Sequence, residues 1–171
     1  MLMTHLHAMF RSLITVGLPV DQLVSRANRV FCESTISGHY ATLVCGKAGR
    51  SGEVESCNAG HLPILVVGRK EVVHLEATGL PLGMFCEGEF SLKKFQLQPG
   101  DTLFLYTDGV SEARDRSNAE FGVRRLAEFA GKRHALAPQA LIAACLKELK
   151  RFSAGSPKTD DLTILVLRRT P

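Results

Sequence analysis

The sequence predicts an α+β fold, a layered domain in which helices and strands come in blocks. Two segments with helical periodicity open the chain, short apolar strands fill its middle, and two further helices precede a last strand. This order differs from the regular strand–helix–strand repeats that build a parallel sheet. Because 171 residues suit one domain with a substantial core, residues 1–171 are assigned to a single domain.

Both opening helices are predicted from apolar residues that recur at helical spacing. In the first, they are Leu6, Met9, Phe10 and Leu13. Gly17 is expected to end this helix, and Pro19 is expected to begin the next one. The stripe of the second helix comprises Leu23, Val24, Ala27, Val30 and Phe31.

The remaining elements follow from short apolar runs bounded by turn residues. Strands are predicted over residues 40–46, 53–57, 64–67, 72–75, 90–97, 102–106 and 162–167. Helices are predicted over residues 122–130 and 138–152. The turn Gln98-Pro99-Gly100-Asp101 delivers the chain into the strand 102–106, which precedes the first acidic motif.

Composition excludes several classes of protein. The formal charge of +4 comes from scattered basic residues, so binding to nucleic acid is not expected. No apolar run approaches the roughly 20 residues of a membrane-spanning helix, and no signal peptide is recognisable. The cysteines, at 32, 45, 57, 86 and 145, form no CxxC pair. We therefore expect buried free thiols in a reducing cytoplasm, without disulfides or a zinc site.

Two acidic motifs lie at predicted strand ends. Asp108 follows the strand 102–106, and Gly109 permits a sharp exit from it. Asp160 and Asp161 directly precede the last strand. Taken singly, the first motif could be an ordinary turn and the second an exposed acidic loop. Together, strand-end carboxylates without a Cys or His cluster favour Mg²⁺ or Mn²⁺ over zinc.

The motifs become specific when they are taken in order along the chain. They are Asn58-Ala59-Gly60-His61-Leu62-Pro63, Gly79-Leu80-Pro81-Leu82-Gly83, Leu97-Gln98-Pro99-Gly100-Asp101, Tyr106-Thr107-Asp108-Gly109, Phe121-Gly122 and Asp160-Asp161-Leu162-Thr163. This series resembles the SpoIIE-like branch of the metal-dependent, type 2C-like serine/threonine protein phosphatases. The resemblance covers nearly the whole chain.

The resemblance implies a β-sandwich flanked by helices, with a centre for two Mn²⁺ or Mg²⁺ ions at one end. Asp108 and Asp160 match the catalytic carboxylates that bind one metal, and Asp161 matches a weaker, supporting position. A metal-activated water would attack the phosphorus of a phosphoserine or phosphothreonine. Near this site the resemblance implies structural positions, which are Gly109, Asn58, Gly60 and His61. We expect the His61 ring to hydrogen-bond the turn 58–63 and not to act as general acid.

The resemblance also implies the biological setting. The substrate would be a regulatory phosphoprotein, of the anti-anti-sigma type, in a bacterial partner-switching pathway that regulates a sigma factor. The protein would be cytoplasmic, away from membranes and nucleic acid, and a dimer is compatible with this setting.

One part of the family pattern does not occur in the sequence. The motif Gly-Asp-x-x-Gly-His-Gly, whose Asp bridges both metals, is expected before the first helix. Because Met1 opens directly onto a family helix, we interpret the domain as truncated at its N-terminus; real degeneration is the alternative. One metal or none would then bind, and the chain would be a poor phosphatase that the missing segment restores. A non-catalytic module that binds a regulatory partner is the second functional hypothesis.

Overall fold

A computed structural model of the chain describes residues 2–35, 38–154, 156 and 160–170. The elements along the chain are α1 (Leu2–Ile14), α2 (Val20–Ser34), β1 (Leu43–Ala48), β2 (Glu53–Ala59), β3 (Ile64–Val67), β4 (Val72–Leu75), β5 (Lys93–Gln96), β6 (Thr102–Tyr106), α3 (Asp108–Ser111), α4 (Val123–Gly131), α5 (Pro138–Phe152) and β7 (Ile164–Arg168). The predicted α+β fold is confirmed. No helix within the described ranges is both long and apolar enough to cross a membrane.

The contacts divide the chain into two compact units, whereas the sequence predicts one domain over residues 1–171. Unit 1 comprises Met1–His61 and Glu76–Gln96, and unit 2 comprises Leu62–Leu75 and Leu97–Pro171. Each unit has a hydrophobic cluster of its own. The assignment to a single domain stays a prediction.

Unit 1 consists of two helices and, in the part described, a sheet of three antiparallel strands in the order β1-β2-β5. Helix α2 packs on β1 and β2, and α1 packs on α2. The helices contribute the buried residues Leu6, Met9, Leu13, Val20, Leu23, Val24, Ala27 and Phe31. The apolar stripes of the sequence therefore identify the core faces of both helices.

Two expectations for unit 1 are wrong. Val30 is exposed, and the polar Asn28 is buried in its place, because the loop after Leu82 covers that side of α2. Cys32 and Cys86 are joined by a disulfide with a Cα–Cα distance of 5.5 Å, although free thiols are expected from the sequence. The two cysteines are 54 residues apart, so only the docking of the loop on α2 brings them together.

Unit 2 contains, among the described residues, a four-stranded antiparallel sheet in the order β4-β3-β6-β7. Helix α4 packs on β3 and β4, and α5 packs on β7 and on α4. The buried cluster draws on the sheet and on the apolar faces of both helices; it includes Leu65, Val67, Phe104, Tyr106, Leu126, Ala130, Leu141, Cys145 and Leu149. The predicted bounds of β3, β4, β6 and α5 are confirmed, whereas the short α3 was not predicted.

The pairing of β6 with β7 positions the acidic motifs. Tyr106, the last residue of β6, is the register partner of Ile164, the first residue of β7. Because the strands are antiparallel, the end of one lies beside the start of the other. The segments that carry Asp108 and Asp160 therefore leave the sheet at the same edge.

Candidate metal centre

The Asp108 motif is a tight turn between β6 and α3, held in place by its neighbours. Val110 is fully buried in the unit 2 core, and its N–H donates to the Thr107 carbonyl at 2.9 Å. Asp108 is exposed at the start of α3, and its Oδ1 accepts the Gly109 N–H at 2.9 Å. The buried valine thus anchors a turn whose carboxylate faces solvent, as the strand-end position predicts.

Thr107 binds this turn to the segment before β7. Its N–H donates to the Thr163 carbonyl at 3.1 Å, and its Oγ1 accepts the Thr163 N–H at 3.0 Å. The same hydroxyl donates to the Asp161 carbonyl at 3.4 Å. A hydroxyl can donate one hydrogen bond and accept others, so one side chain satisfies both backbone groups. Thr107 was not assigned a role from the sequence, because such a cross-strand contact leaves no local signal.

Gly109 allows the two segments to approach each other. A Cβ at this position would meet the Asp161 carbonyl group, with its carbon only 2.9 Å away, and the Leu162 Cα at 3.4 Å. Its backbone does not have a positive φ. The glycine is therefore needed for close backbone packing and not, as the sequence suggests, for an unusual turn conformation.

The second acidic motif, Asp160-Asp161, lies beside the turn that carries Asp108. Asp160 and Asp161 are both exposed, and the Asp160 Oδ1 accepts the Asp161 N–H at 2.7 Å. The Asp161 main chain contacts Thr107 and would clash with any side chain at position 109. The structure thus brings together the two acidic segments that the sequence predicts to share a metal. The more specific expectation, that the carboxyl groups of Asp108 and Asp160 lie within about 6 Å of each other, stays a prediction.

The donor set fits a hard divalent cation, but incompletely. Exposed carboxylate oxygens are the ligands that Mg²⁺ and Mn²⁺ prefer, and no thiol or imidazole is needed. Such ions take about six ligands, whereas Asp108, Asp160 and Asp161 supply at most part of that number. Over the described ranges, no group of three or more His, Cys, Asp or Glu side chains is arranged to hold a metal.

The other predicted positions form a hydrogen-bonded corner in unit 1. Asn58 is 2% exposed, and its Oδ1 accepts the His61 N–H at 2.8 Å. Its main chain bonds Thr78: the Asn58 N–H donates to the Thr78 Oγ1 at 3.0 Å, and its carbonyl accepts the Thr78 N–H at 2.8 Å. Gly60 has φ +66°, and a Cβ there would clash with Pro81. Asn58 and Gly60 thus hold the shape of this corner; that they are structural positions of a metal site stays a prediction.

His61 is half-buried at the end of this corner. Its backbone N–H belongs to the turn, which agrees with a structural role for the residue. That its ring bonds the turn, and that it does not act as general acid, stay predictions. The predicted proximity of this corner to the carboxylates also stays a prediction.

Comparison with known proteins identifies relatives along almost the whole chain. A sequence model of the family described as Stage II sporulation protein E (SpoIIE) matches residues 1–170. Phosphoserine phosphatase RsbP of Bacillus subtilis is 31% identical over 113 residues, which are 63% of this chain and 28% of that protein. The match to Protein IcfG of Synechocystis sp. covers 21% of that protein, so the chain spans about a quarter of the length of these two curated relatives.

Solved structures show the same fold. The crystal structure of the RsbU and RsbW domains of Rv1364c from Mycobacterium tuberculosis is 27% identical, with a TM-score of 0.81 over 99% of this chain and 47% of that one. The SiaA-PP2C domain of Pseudomonas aeruginosa has a TM-score of 0.84 at 20% identity, over 98% of this chain and 67% of that one. This likeness confirms the predicted type 2C-like phosphatase fold.

Proposed function

Because the chain belongs to the Stage II sporulation protein E (SpoIIE) family, we propose that it is a metal-dependent serine/threonine protein phosphatase domain. The similarity to a phosphoserine phosphatase supports this reaction. The proposed substrate is a phosphoserine or phosphothreonine on a regulatory protein of the anti-anti-sigma type, which is the class that the motifs imply. We place this activity in the cytoplasm of a bacterium.

The observation that carries the proposal is the contact between the two acidic segments. Thr107 bonds the main chain of Asp161 and Thr163, and Gly109 leaves room for that approach. Asp108 and Asp160 would hold a divalent cation at this edge, and Asp161 would support them. Such a cation, when bound, would polarise a phosphoryl oxygen and lower the pKa of a water molecule. The chain's own contribution is to orient the carboxylates through main-chain bonds on a rigid strand pair.

Metal binding can be tested apart from catalysis. We expect Mn²⁺ titrated into the chain to bind weakly, and Asp108→Asn or Asp160→Asn to weaken that binding further. The loss should exceed the roughly 10–100-fold that removal of a supporting residue costs. Glu112→Gln is the matched control, since Glu112 is exposed and directly follows α3 but is not assigned to the metal. Equal loss in all three variants would argue for a nonspecific charge effect and against the site.

Catalysis is tested with Mn²⁺ and a phosphoserine protein. We expect near-background turnover by the 171 residues, because they lack the bridging carboxylate of the family motif. Fusion of a relative's segment with Gly-Asp-x-x-Gly-His-Gly before residue 1 should raise turnover, and Asp108→Asn should abolish the gain. Turnover that does not respond to Asp108→Asn would place the catalytic centre elsewhere.

Binding without hydrolysis is the second candidate function. It is favoured by one observation: in the described parts of the chain the acidic side chains do not form a group of three metal ligands. A module of this kind would bind the phosphorylated regulatory protein and leave the phosphate in place. Stable complex formation by the fused form, with no phosphate released in Mn²⁺, would decide for this alternative.

A further inference from the structure

A loop in unit 1 is fastened to α2 by a buried amide. Asn28 is 1% exposed, and its Nδ2 donates to the carbonyl oxygens of Phe85 at 2.8 Å and Cys86 at 3.2 Å. Its Oδ1 accepts the Gly83 N–H at 2.8 Å. All three bonds go to the main chain of the loop 83–88, so the buried amide fastens the loop to α2 in addition to any covalent bond.

Cys32 lies on α2 four residues after Asn28, and its sulfur is bonded to Cys86. Residues four apart share a helix face, so the Asn28 amide and the Cys32 sulfur face the same loop. The Cα–Cα distance of 5.5 Å suits a disulfide. Because Asn28 bonds the Cys86 carbonyl independently of the sulfur atoms, we expect it to keep Cys86 beside Cys32 when both are thiols. Formation of the disulfide then costs little additional conformational entropy of the loop.

The pair is accessible to small molecules. Cys86 is exposed and Cys32 is half-buried. Both line a cavity of about 510 Å³, together with His39, Tyr40 and Met84. A small thiol or disulfide can therefore approach the sulfur atoms from solvent.

The remaining cysteines lack this combination of proximity and access. Cys45 and Cys57 are register partners on β1 and β2, yet both are free, and burial raises the pKa of each thiol. Cys145, in unit 2, is fully buried. The thiolate is the reactive species, so a raised pKa and burial both slow oxidation. These three cysteines serve as internal controls.

We propose that Cys32 and Cys86 form a reversible dithiol–disulfide site that fastens the loop 83–88 to α2 when it is oxidised. The co-reactant is a low-molecular-weight disulfide such as oxidised glutathione. The exposed Cys86 thiolate attacks one of its sulfurs, forming a mixed disulfide and releasing one small thiol. The Cys32 thiolate then attacks the Cys86 sulfur and expels the second small thiol. Two electrons pass from the protein to the small disulfide, and the protons of the two protein thiols end on the two released thiols.

The site is independent of the proposed phosphatase chemistry, since neither cysteine belongs to the acidic segments. In a reducing compartment the pair would be dithiol at rest and would close under oxidation, because protein disulfides there are mostly transient. The covalent link closes a long segment of chain, which restricts the unfolded state and stabilises the oxidised form.

The test is a thiol count on the full 171-residue chain in glutathione buffers of graded ratio, trapped by alkylation and measured by mass. The chain has five cysteines, so the count should move from five free thiols to three, and back when the buffer becomes reducing. Cys86→Ser should form no internal disulfide in any buffer, and any loss of its Cys32 thiol should appear by mass as a glutathione adduct. Cys45→Ser, the matched control, should move from four thiols to two.

Three outcomes would overturn the proposal. They are a count of five in the most oxidising buffer, a cross-link that disappears in Cys45→Ser but not in Cys86→Ser, and a disulfide that no glutathione buffer reduces in the folded protein. A second measurement covers misfolding of the serine variant. We expect the oxidised wild-type chain to melt roughly 10 °C above its reduced form. Equal melting temperatures would show that the bond does not fasten the loop.

Discussion

Gly109 lies against the Asp161 main chain so closely that a Cβ at position 109 would be 2.9 Å from the Asp161 carbonyl carbon. We therefore expect Gly109→Ala to push the two acidic segments apart. Overpacking of this kind costs about 1–3 kcal/mol of unfolding free energy, measured by urea denaturation. Gly49→Ala is the control, because its Cβ would be 3.5 Å from the nearest atom. Equal effects of both substitutions would contradict this account of Gly109.

Thr107, directly after β6, and Thr102, the first residue of β6, predict different effects on stability of the same Thr→Val substitution. Thr107→Val removes the hydroxyl that accepts the Thr163 N–H and donates to Asp161. It should destabilise unit 2 by about 1–2 kcal/mol, because backbone groups lose their partner. The Thr102 Oγ1 is buried without a partner among the described residues. Thr102→Val should therefore be neutral or stabilising by up to about 1 kcal/mol. Destabilisation of similar size in both would refute the contrast, which urea denaturation measures.

Asn28 is a buried polar residue on the apolar face of α2, and its replacement should lower the stability of the protein. Asn28→Ala leaves the Gly83 N–H and the Phe85 and Cys86 carbonyls without their partner. We expect a loss of about 1–3 kcal/mol of unfolding free energy in a reducing buffer, where no disulfide contributes. Ser25→Ala, also on α2, removes only an exposed hydroxyl bond to Asp21 and should change stability by less than about 0.5 kcal/mol. A similar small effect in Asn28→Ala would mean that the loop is held by other contacts.

Cys145 predicts a pH dependence of stability. Burial raises the pKa of its thiol from 9.0 to about 11. The unfolded chain then loses this proton at lower pH than the folded chain, so the contribution is fully present below pH 9 and is lost as the pH rises towards 11. Between pH 9 and pH 11 the free energy of unfolding should fall by about 2–3 kcal/mol more in the wild type than in Cys145→Ala, which has no thiol to titrate. Urea denaturation at each pH measures this difference. Parallel profiles for both proteins would show that the thiol titrates normally.

The sequence by itself determined those features that depend on local pattern. The stripe on α1, the hairpin Ile64–Val67 with Val72–Leu75, and the helix Pro138–Phe152 follow from periodicity and turn residues, which are properties of neighbouring positions. The ordered motifs likewise predict the family, which is confirmed. That Asp108 and Asp160 are metal ligands stays a prediction.

Tertiary structure decided the features that join distant positions. Thr107 bonds residues 54 and 56 positions away, Gly109 is required by the main chain of Asp161, and Cys32 meets Cys86 across 54 residues. Asn28, a polar residue that periodicity places outside the core, is buried because a loop more than fifty residues later covers it. The reason is physical: a local pattern records which face of an element is apolar, whereas pairing and docking decide which distant backbone groups meet that face.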